Sequence, residues 1–376
     1  MTPRGKYGGR LSHSLPTIFQ RQSGNSVIID SGQQVPNHSF MKKILWSSGG
    51  FVLLVIVVGI FLPSRSQVER DILIDAHAAT IFALLNDYRQ VSKWSPTLAG
   101  DPNARIDLSG PPRGVGASIY WDGHIIGQGR QTIIESTPYE KITAQFELGD
   151  QASATAAFSL SSEEAMTRVA WLHESDHGFN LVGRYFGLVQ GSIIGAEQEE
   201  GLARLKELAE NLPRGDFSDI EIEQIVVEAS DIAYLRTTSI PEATAISEAM
   251  GEAYFSVLNF IDEYGLDDAG APLSITREFS GSELVFDAAI PVRGLSAATP
   301  RTGEAVKIGR TYAGPVIRVK HIGSYRTLGR THDKIAAYLA ALGIEQNGYA
   351  WESYISDPIR TDEADLLTYV YYPIRH

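Results

Sequence analysis

Residues 199–212, EEGLARLKELAENL, have the pattern of a long amphipathic helix, and this stretch decides the fold of the first half of the chain. Apolar residues recur at the three- and four-residue spacing that places side chains on one face of a helix, while charged residues occupy the other face. We therefore expect a helix that starts after Gly183, ends near Asn211 and packs its apolar face against other elements. That face comprises Leu202, Leu205, Leu208, Ala209 and Leu212.

Upstream of this helix, the chain reads as one strand, one short helix and a run of antiparallel strands. The segment 68–74, VERDILI, alternates apolar and charged residues, as a half-buried strand does. A short helix through Asn86 follows, and the later strands are separated by turn signals. Those strands are expected at 115–121, 125–135, 141–148, 152–161 and 166–173. This order predicts an α+β fold in which a curved antiparallel sheet wraps a long C-terminal helix and leaves room for a cavity.

Short motifs within residues 67–212 carry a resemblance to a known superfamily. The motifs are Ala79-Thr80-Ile81-Phe82, Asn86-Asp87, Trp94-Ser95-Pro96, Gly114-Val115-Gly116-Ala117, Tyr120-Trp121-Asp122-Gly123, Gly127-Gln128-Gly129 and Gly201-Leu202-Ala203-Arg204-Leu205-Lys206. The segment resembles the SRPBCC superfamily, the helix-grip fold of START-like and polyketide-cyclase-like domains. The resemblance implies the fold and no single activity, because the superfamily includes lipid carriers, cyclases and binders. We expect Trp94 and Tyr120 to pack in the core or to line an apolar ligand cavity.

The rest of the chain contains an internal repeat that begins after a linker at residues 213–218. Gly251 and Gly329 are 78 residues apart, as are Gly265 and Gly343. Each half of residues 219–376 reads as two strands, a helix and two strands, so two ββαββ copies are expected to pack about a pseudo-two-fold axis with a groove at their junction. The strands are expected at 221–227, 232–238, 273–279, 283–292, 304–312, 316–322, 350–355 and 366–374, and the helices at about 242–264 and 325–342.

The repeat is similar to a second family. The residues that carry the similarity are His321-Ile322-Gly323-Ser324-Tyr325, Leu328-Gly329, Leu342-Gly343, Trp351-Glu352-Ser353-Tyr354, Asp357-Pro358 and Tyr371-Tyr372-Pro373-Ile374. Residues 219–376 resemble the GyrI-like effector-binding domains, which also form the C-terminal half of multidrug-responsive transcription activators. The resemblance implies that Glu352 and Tyr325 line a groove that faces cationic aromatic ligands. This chain has Gly323-Ser324-Tyr325 where the family usually has Gly-Pro-Tyr, and it shows no helix-turn-helix segment, so the transcription role does not carry over.

Glu352 is the strongest candidate for a functional residue. It lies in a predicted strand between Trp351 and Tyr354. A carboxylate among aromatic rings suits a desolvated cation, since the rings add a cation–π attraction of about 0.5–2 kcal/mol. The alternatives are a solvated strand glutamate and a hydrolase in which Glu352 and Tyr325 or Tyr354 act as base and acid. The predicted ligand contacts in this domain are Glu352, Tyr325, Trp351, Tyr354 and Tyr371.

We expect neither a metal nor a cofactor. His173 and His177 are four residues apart, but they lie at a strand end, where the two rings need not share a face. The chain has no cysteine, which excludes disulfides and thiolate sites. The net charge is −13, and an acidic surface repels phosphate backbones, so no nucleic-acid partner is expected.

Residues 44–62, ILWSSGGFVLLVIVVGIFL, form an uncharged run of nineteen residues that is long enough for a transmembrane helix. The preceding residues 1–43 contain six basic residues and one acidic residue and read as a disordered tail. The positive-inside rule places this tail in the cytoplasm and both domains outside, in the periplasm. A cleaved signal peptide is the alternative to a single-pass anchor.

These features together predict a membrane-anchored protein with two modules that bind small hydrophobic or amphipathic, in part cationic, molecules. An enzyme, either a hydrolase that uses Glu352 or a cyclase in the first domain, is one alternative. A non-catalytic envelope interaction protein is the other.

Overall fold

The computed structural model describes residues 38–148, 152–297, 299 and 305–375, with side chains from Trp46 onward except at 148, 152 and 153. Helix α1 (His38–Phe61) begins upstream of the predicted transmembrane start at residue 44. Within the described part of the chain, no helix is both long enough and apolar enough to cross a membrane. Contacts divide the described part of the chain into two compact units, with the boundary between Val57 and Val58. Most of the predicted tail, residues 1–37, lies outside the described residues.

The first domain contains a seven-stranded antiparallel sheet among the described residues, in the order β1-β7-β6-β5-β4-β3-β2. Its strands follow one another along the chain except that β1 pairs with β7, which places the first and last strands side by side. The strands are β1 (Arg65–Ile74), β2 (Arg105–Ser109), β3 (Ser118–Gly123), β4 (Gly127–Thr137), β5 (Lys141–Leu148), β6 (Ala152–Glu163) and β7 (Met166–Asp176).

Four helices accompany this sheet: α2 (Ala78–Leu85), α3 (Tyr88–Val91), α4 (Pro96–Ala99) and α5 (Leu181–Glu210). The long helix α5 begins after Asn180, whose side chain accepts a hydrogen bond from the Gly183 amide at 3.0 Å and so caps the free end of the helix. Leu202, Leu205 and Ala209 of its predicted apolar face are buried in the core. The mixed α+β class and the antiparallel sheet followed by a long helix are confirmed. Trp94 lies in the turn between the short helices α3 and α4.

The second domain contains a nine-stranded sheet in the part of the chain that the structure describes. Its main path runs β13-β9-β12-β11-β15-β16-β14-β8, and the two-residue strand β10 pairs with β12. The strands are β8 (Ile222–Val227), β9 (Asp231–Ser239), β10 (Asp267–Asp268), β11 (Leu273–Phe279), β12 (Leu284–Arg293), β13 (Lys307–Arg310), β14 (Gly314–Ile322), β15 (Trp351–Tyr354) and β16 (Leu367–Pro373). The helices are α6 (Ala243–Glu263) and α7 (Leu328–Leu342).

The strand order has the two-fold symmetry expected from the internal repeat. The first strand of each half pairs with a strand of the other half, because β8 pairs with β14 and β13 pairs with β9. The two halves meet in the middle, where β11 pairs with β15 and Ser274 lies opposite Glu352. The order is the same when read from either edge with the halves exchanged, so the pseudo-two-fold axis passes between β11 and β15. Glu352 therefore lies at the junction of the two copies.

The two domains contact each other through α2 and α7. Small side chains allow the close approach, since Ala79, Ala337 and Ala341 are all buried in one apolar cluster. The side chain of Gln90 adds a polar link, because its amide nitrogen donates to the carbonyl oxygen of Leu342 at 2.9 Å. Helix α7 thus contacts the first domain with its C-terminal half.

Candidate functional site

A cavity of about 540 Å³ lies between the sheet of the first domain and helix α5. Its volume is within the range of small-molecule sites, which are concave and mostly apolar. Six large aromatic side chains contribute to its wall, from α5, from the strands and from the segment between α3 and α4: Trp94, Trp121, Phe146, Phe158, Trp171 and Phe186.

The periodicities of helix and strand explain which residues line this cavity. On α5 the lining residues Phe186, Gln190, Ile194 and Glu197 are spaced by three or four residues, so they share one face of the helix. On the strands they alternate, as Ile119 and Trp121 do on β3. N-terminal to Gly201, the inward residues of α5 line the cavity, and C-terminal to it they lie in the core.

Trp94 connects two parts of the cavity wall. Its ring packs edge-on against Phe158, with centroids 5.8 Å apart, and against Trp171, with centroids 5.9 Å apart. Edge-to-face pairs of this kind are favourable because the positive ring edge meets a negative ring face. The predicted role of Trp94 as a core or cavity residue agrees with this position.

Tyr120 does not line the cavity, although it was predicted as a ligand contact together with Trp94. Its neighbours Ile119 and Trp121 line the cavity wall, and successive side chains of a strand point to opposite faces. The ring of Tyr120 instead lies near the guanidinium of Arg130, 5.9 Å from the ring centroid. Trp121 and Trp171, which lie under helix α5, also line the cavity.

A hydrogen-bonded network of polar side chains forms part of the cavity wall. The Oγ of Ser175 lies 3.1 Å from Nε2 of His173 and accepts a hydrogen bond from the amide of Gln190 at 2.7 Å. Ser66 donates to the Oε1 of Gln190, and its Oγ lies 3.0 Å from Nε2 of His177. Burial lowers the pKa of His173, so this ring is neutral near pH 7. The network offers hydrogen-bond donors and acceptors to a guest without a fixed positive charge.

Glu197 is one of two carboxylate residues in the wall. It has no hydrogen bond or ion pair with any residue that the structure describes. Burial raises its pKa, and the nearby charge of Glu200 raises it further. Asp176 also lines the cavity, but it is paired with Arg65 at 3.3 Å.

The second candidate site surrounds Glu352 on the sheet face that packs against the helices. The Oε1 of Glu352 lies 2.8 Å from Nε2 of His332 on α7, and its Oε2 accepts a hydrogen bond from the hydroxyl of Tyr354. The other ring nitrogen of His332 lies 2.8 Å from the hydroxyl of Tyr372. The Glu352 side chain is 15% exposed. The carboxylate is therefore sheltered, and both of its oxygens have a partner.

Several phenols around Glu352 are kept protonated. Burial raises the pKa of Tyr354, Tyr254 and Tyr372, and the negative charge of Glu352 raises each of them further. The ring of Tyr325 packs edge-on against Tyr354 at 5.3 Å, and burial raises its pKa too. The structure thus brings the predicted residues Glu352, Tyr325 and Tyr354 together.

Trp351 and Tyr371 lie on the opposite face of the same sheet. Their rings stack at 4.8 Å with an angle of 6° between the planes, within an apolar cluster that contains Tyr312. They were predicted as ligand contacts beside Glu352, but strand alternation separates them from it. They therefore cannot line the same site as Glu352, because the sheet lies between them.

Sequence reasoning did not find His332, Tyr254 or Tyr372 as members of this site. Tyr254 lies on α6, and its hydroxyl donates a hydrogen bond to the carbonyl oxygen of Leu273 at 2.8 Å. His332 lies one turn before Ile335, which places it on the inward face of α7. This spacing could have indicated from the sequence that His332 faces the sheet. Spacing along α5 was likewise the available signal for Gln190 and Glu197.

Comparison with known proteins supports the assignment of the first domain. Residues 65–210 match a family model described as "Polyketide cyclase / dehydrase and lipid transport". The matched residues are those that resemble the SRPBCC superfamily. No curated protein is similar in sequence to the chain.

Solved structures with similar regions share little sequence with this chain. Protein CV1439 from Chromobacterium violaceum is 12% identical, with 39% of this chain and 97% of that chain covered and a TM-score of 0.31. The EcmrR C-terminal domain is 14% identical, with 42% and 98% covered and a TM-score of 0.35. The Aha1 dimer from Colwellia psychrerythraea is 19% identical, with 39% and 96% covered and a TM-score of 0.29.

The buried histidine in the cavity wall predicts a pH effect on stability. An unfolded histidine gains a proton as the pH falls through about 6.5, whereas folded His173, whose pKa is lowered, does not gain one until a lower pH. The unfolded state then binds more protons, so the free energy of unfolding decreases as the pH falls below about 6.5. His173→Gln removes this contribution. Urea unfolding from pH 7 to pH 5 should show a smaller loss of stability for His173→Gln than for the unchanged protein.

Exposed His124 provides the control for this measurement. Because its side chain lies in solvent, His124→Gln should lose as much stability on acidification as the unchanged protein. Parallel curves for His173→Gln and the unchanged protein would show that His173 titrates as a free histidine does.

Proposed function

We propose that this protein binds a hydrophobic or amphipathic small molecule in the cavity of its first domain. The observation that carries the proposal is the aromatic-walled cavity of about 540 Å³ between the sheet and α5. Moving apolar surface from water into such a wall contributes roughly 25 cal/mol per Å². The match of residues 65–210 to a family that includes lipid transport proteins supports the same class of ligand.

A neutral fluorescent probe, N-phenyl-1-naphthylamine, tests this proposal directly. The full chain should enhance its emission in a saturable manner, because the probe leaves water for the cavity. Ala154 lines the cavity on β6, so Ala154→Phe should fill the space for the guest and weaken binding by about tenfold or more. Fluorescence titration with each variant measures the change.

Ala157→Phe is the matched control, because Ala157 lies on the same strand and does not line the cavity. It should bind the probe as the unchanged protein does. Equal binding by all three proteins would place the probe elsewhere and contradict the proposal. If no hydrophobic probe binds or changes the melting temperature, the non-catalytic interaction protein becomes the better account.

A cyclase is the second candidate function for this cavity. The observation that favours it is the network of His173, Ser175 and Gln190, because proton donors and acceptors beside an enclosed substrate are what a cyclisation requires. Binding is the simpler proposal, since it needs only the cavity.

We also propose a second ligand site at Glu352, in a GyrI-like module that takes amphipathic cations. The sheltered carboxylate and the surrounding rings of Tyr254, Tyr325 and Tyr354 support this proposal. Since His332 already contacts one oxygen of Glu352, a cationic guest would replace His332 there. In the hydrolase alternative, Glu352 is the base and a protonated tyrosine is the acid.

Calorimetric titration of the full chain with tetraphenylphosphonium tests the second site. Glu352→Gln removes the charge and should weaken binding by about tenfold, since a partly buried ion pair contributes a few kcal/mol at most. Glu345→Gln, at an exposed position paired with Arg375, should bind as the unchanged protein does. Equal affinity of all three proteins would contradict the proposal. Turnover of an activated ester that Glu352→Gln abolishes would favour the hydrolase.

We further propose that residues 44–62 anchor the chain in a membrane, with the N-terminus in the cytoplasm and both domains in the periplasm. The uncharged run and the two lysines before it, Lys42 and Lys43, support this orientation. The large apolar side chains between Phe51 and Phe61 are mostly exposed, as those of a helix that meets lipid would be.

A further inference from the structure

The charges along the cavity wall restrict which amphipathic molecule the first domain accepts. Among the cavity residues that the structure describes, none is a lysine or an arginine, and two are carboxylates. Asp176 already has Arg65 as its partner. Glu197 is thus the one carboxylate of the described cavity wall without a positive partner.

Glu197 lies on the face of α5 that lines the cavity, so its charge acts on a guest inside the cavity. It lies on the lining face of the helix, between Ile194 and Gln198, both of which also line the cavity. Toward the C-terminus the same face continues with buried Gly201 and Leu202. Toward the N-terminus it reaches half-exposed Phe186, eleven residues away, which is about 16 Å along the helix. Glu197 therefore lies toward the buried half of α5.

A partly buried carboxylate is unfavourable when no positive group lies beside it. Water solvates it incompletely, which is why burial raises its pKa. A positive group from a guest would restore the lost solvation and would also meet the faces of the aromatic rings that line the cavity, such as Trp94 and Trp171. A guest carboxylate would instead meet a like charge and no lysine or arginine.

We propose that the guest of the first-domain cavity is an amphipathic amine, whose ammonium group pairs with Glu197 and whose apolar body lies among the aromatic rings. This inference rests on the proposed binding function and specifies its ligand class. It excludes fatty acids and other anionic amphiphiles as preferred guests. It is independent of the proposed cation site at Glu352, which lies in the other domain.

Three naphthalene probes with a cationic, a neutral or an anionic substituent test this inference. Calorimetric titration of the full chain compares 2-naphthylmethylamine, 2-naphthalenemethanol and 2-naphthoate. The amine should bind about tenfold more tightly than the alcohol, because one partly buried ion pair provides about this much affinity. The carboxylate should bind most weakly. Glu197→Gln should reduce the affinity for the amine to that for the alcohol and leave the alcohol unchanged.

Glu207→Gln separates a local ion pair from the overall negative charge of the protein. Glu207 lies on the same helix at an exposed position and does not line the cavity, so this variant should keep the preference for the amine. Loss of the preference in this variant would assign it to another charge and overturn the inference.

The same titrations distinguish failure of this inference from failure of the proposed binding function. If the amine and the alcohol bind equally to the unchanged protein, or if Glu197→Gln keeps their ratio, the cavity binds apolar guests without selecting a cation and the inference is wrong. If none of the three probes binds, the proposed function fails and the inference fails with it.

Discussion

The contact between Gly201 of α5 and the ring of Trp171 is the constraint on which the first domain depends. A Cβ atom at position 201 would lie 2.9 Å from this ring, closer than two carbon atoms can approach, so only glycine allows the helix backbone to meet the sheet here. C-terminal to this contact, α5 buries leucines in the core. N-terminal to it, the same helix face lines the cavity. One helix thus stabilises the fold with one half and forms the candidate site with the other.

Much of the fold was predictable because it follows from local patterns. The leucine stripe of α5 and the alternating strands indicated an α+β domain with a long closing helix, and the 78-residue repeat indicated the elements of the second domain. The candidate sites were less predictable, because they depend on which strand face meets which helix. Tyr120, Trp351 and Tyr371 were assigned to sites as aromatic residues near other candidates, but strand alternation places each on the face away from the expected neighbour. His332 became visible as a partner of Glu352 only when α7 was placed on the sheet.

The carboxylates of the two candidate sites have different surroundings. Glu352 lies at the junction of two repeated halves, where the imidazole of His332 and the phenol of Tyr354 contact its two oxygens. Glu197 lies in a cavity wall with no described partner. Helix α7 carries His332 near its start and packs on α2 of the first domain near its end.

The central claim is that the space between the first sheet and α5 is open and accepts an apolar guest. A crystal structure of the full chain soaked with 1-bromonaphthalene tests it most directly, because the anomalous signal of bromine identifies the position of the guest. The account predicts a bromine position inside the ring of Trp94, Trp121 and Phe158 side chains that line the cavity. A cavity closed by these same side chains, with no bromine between the sheet and the helix, would contradict it.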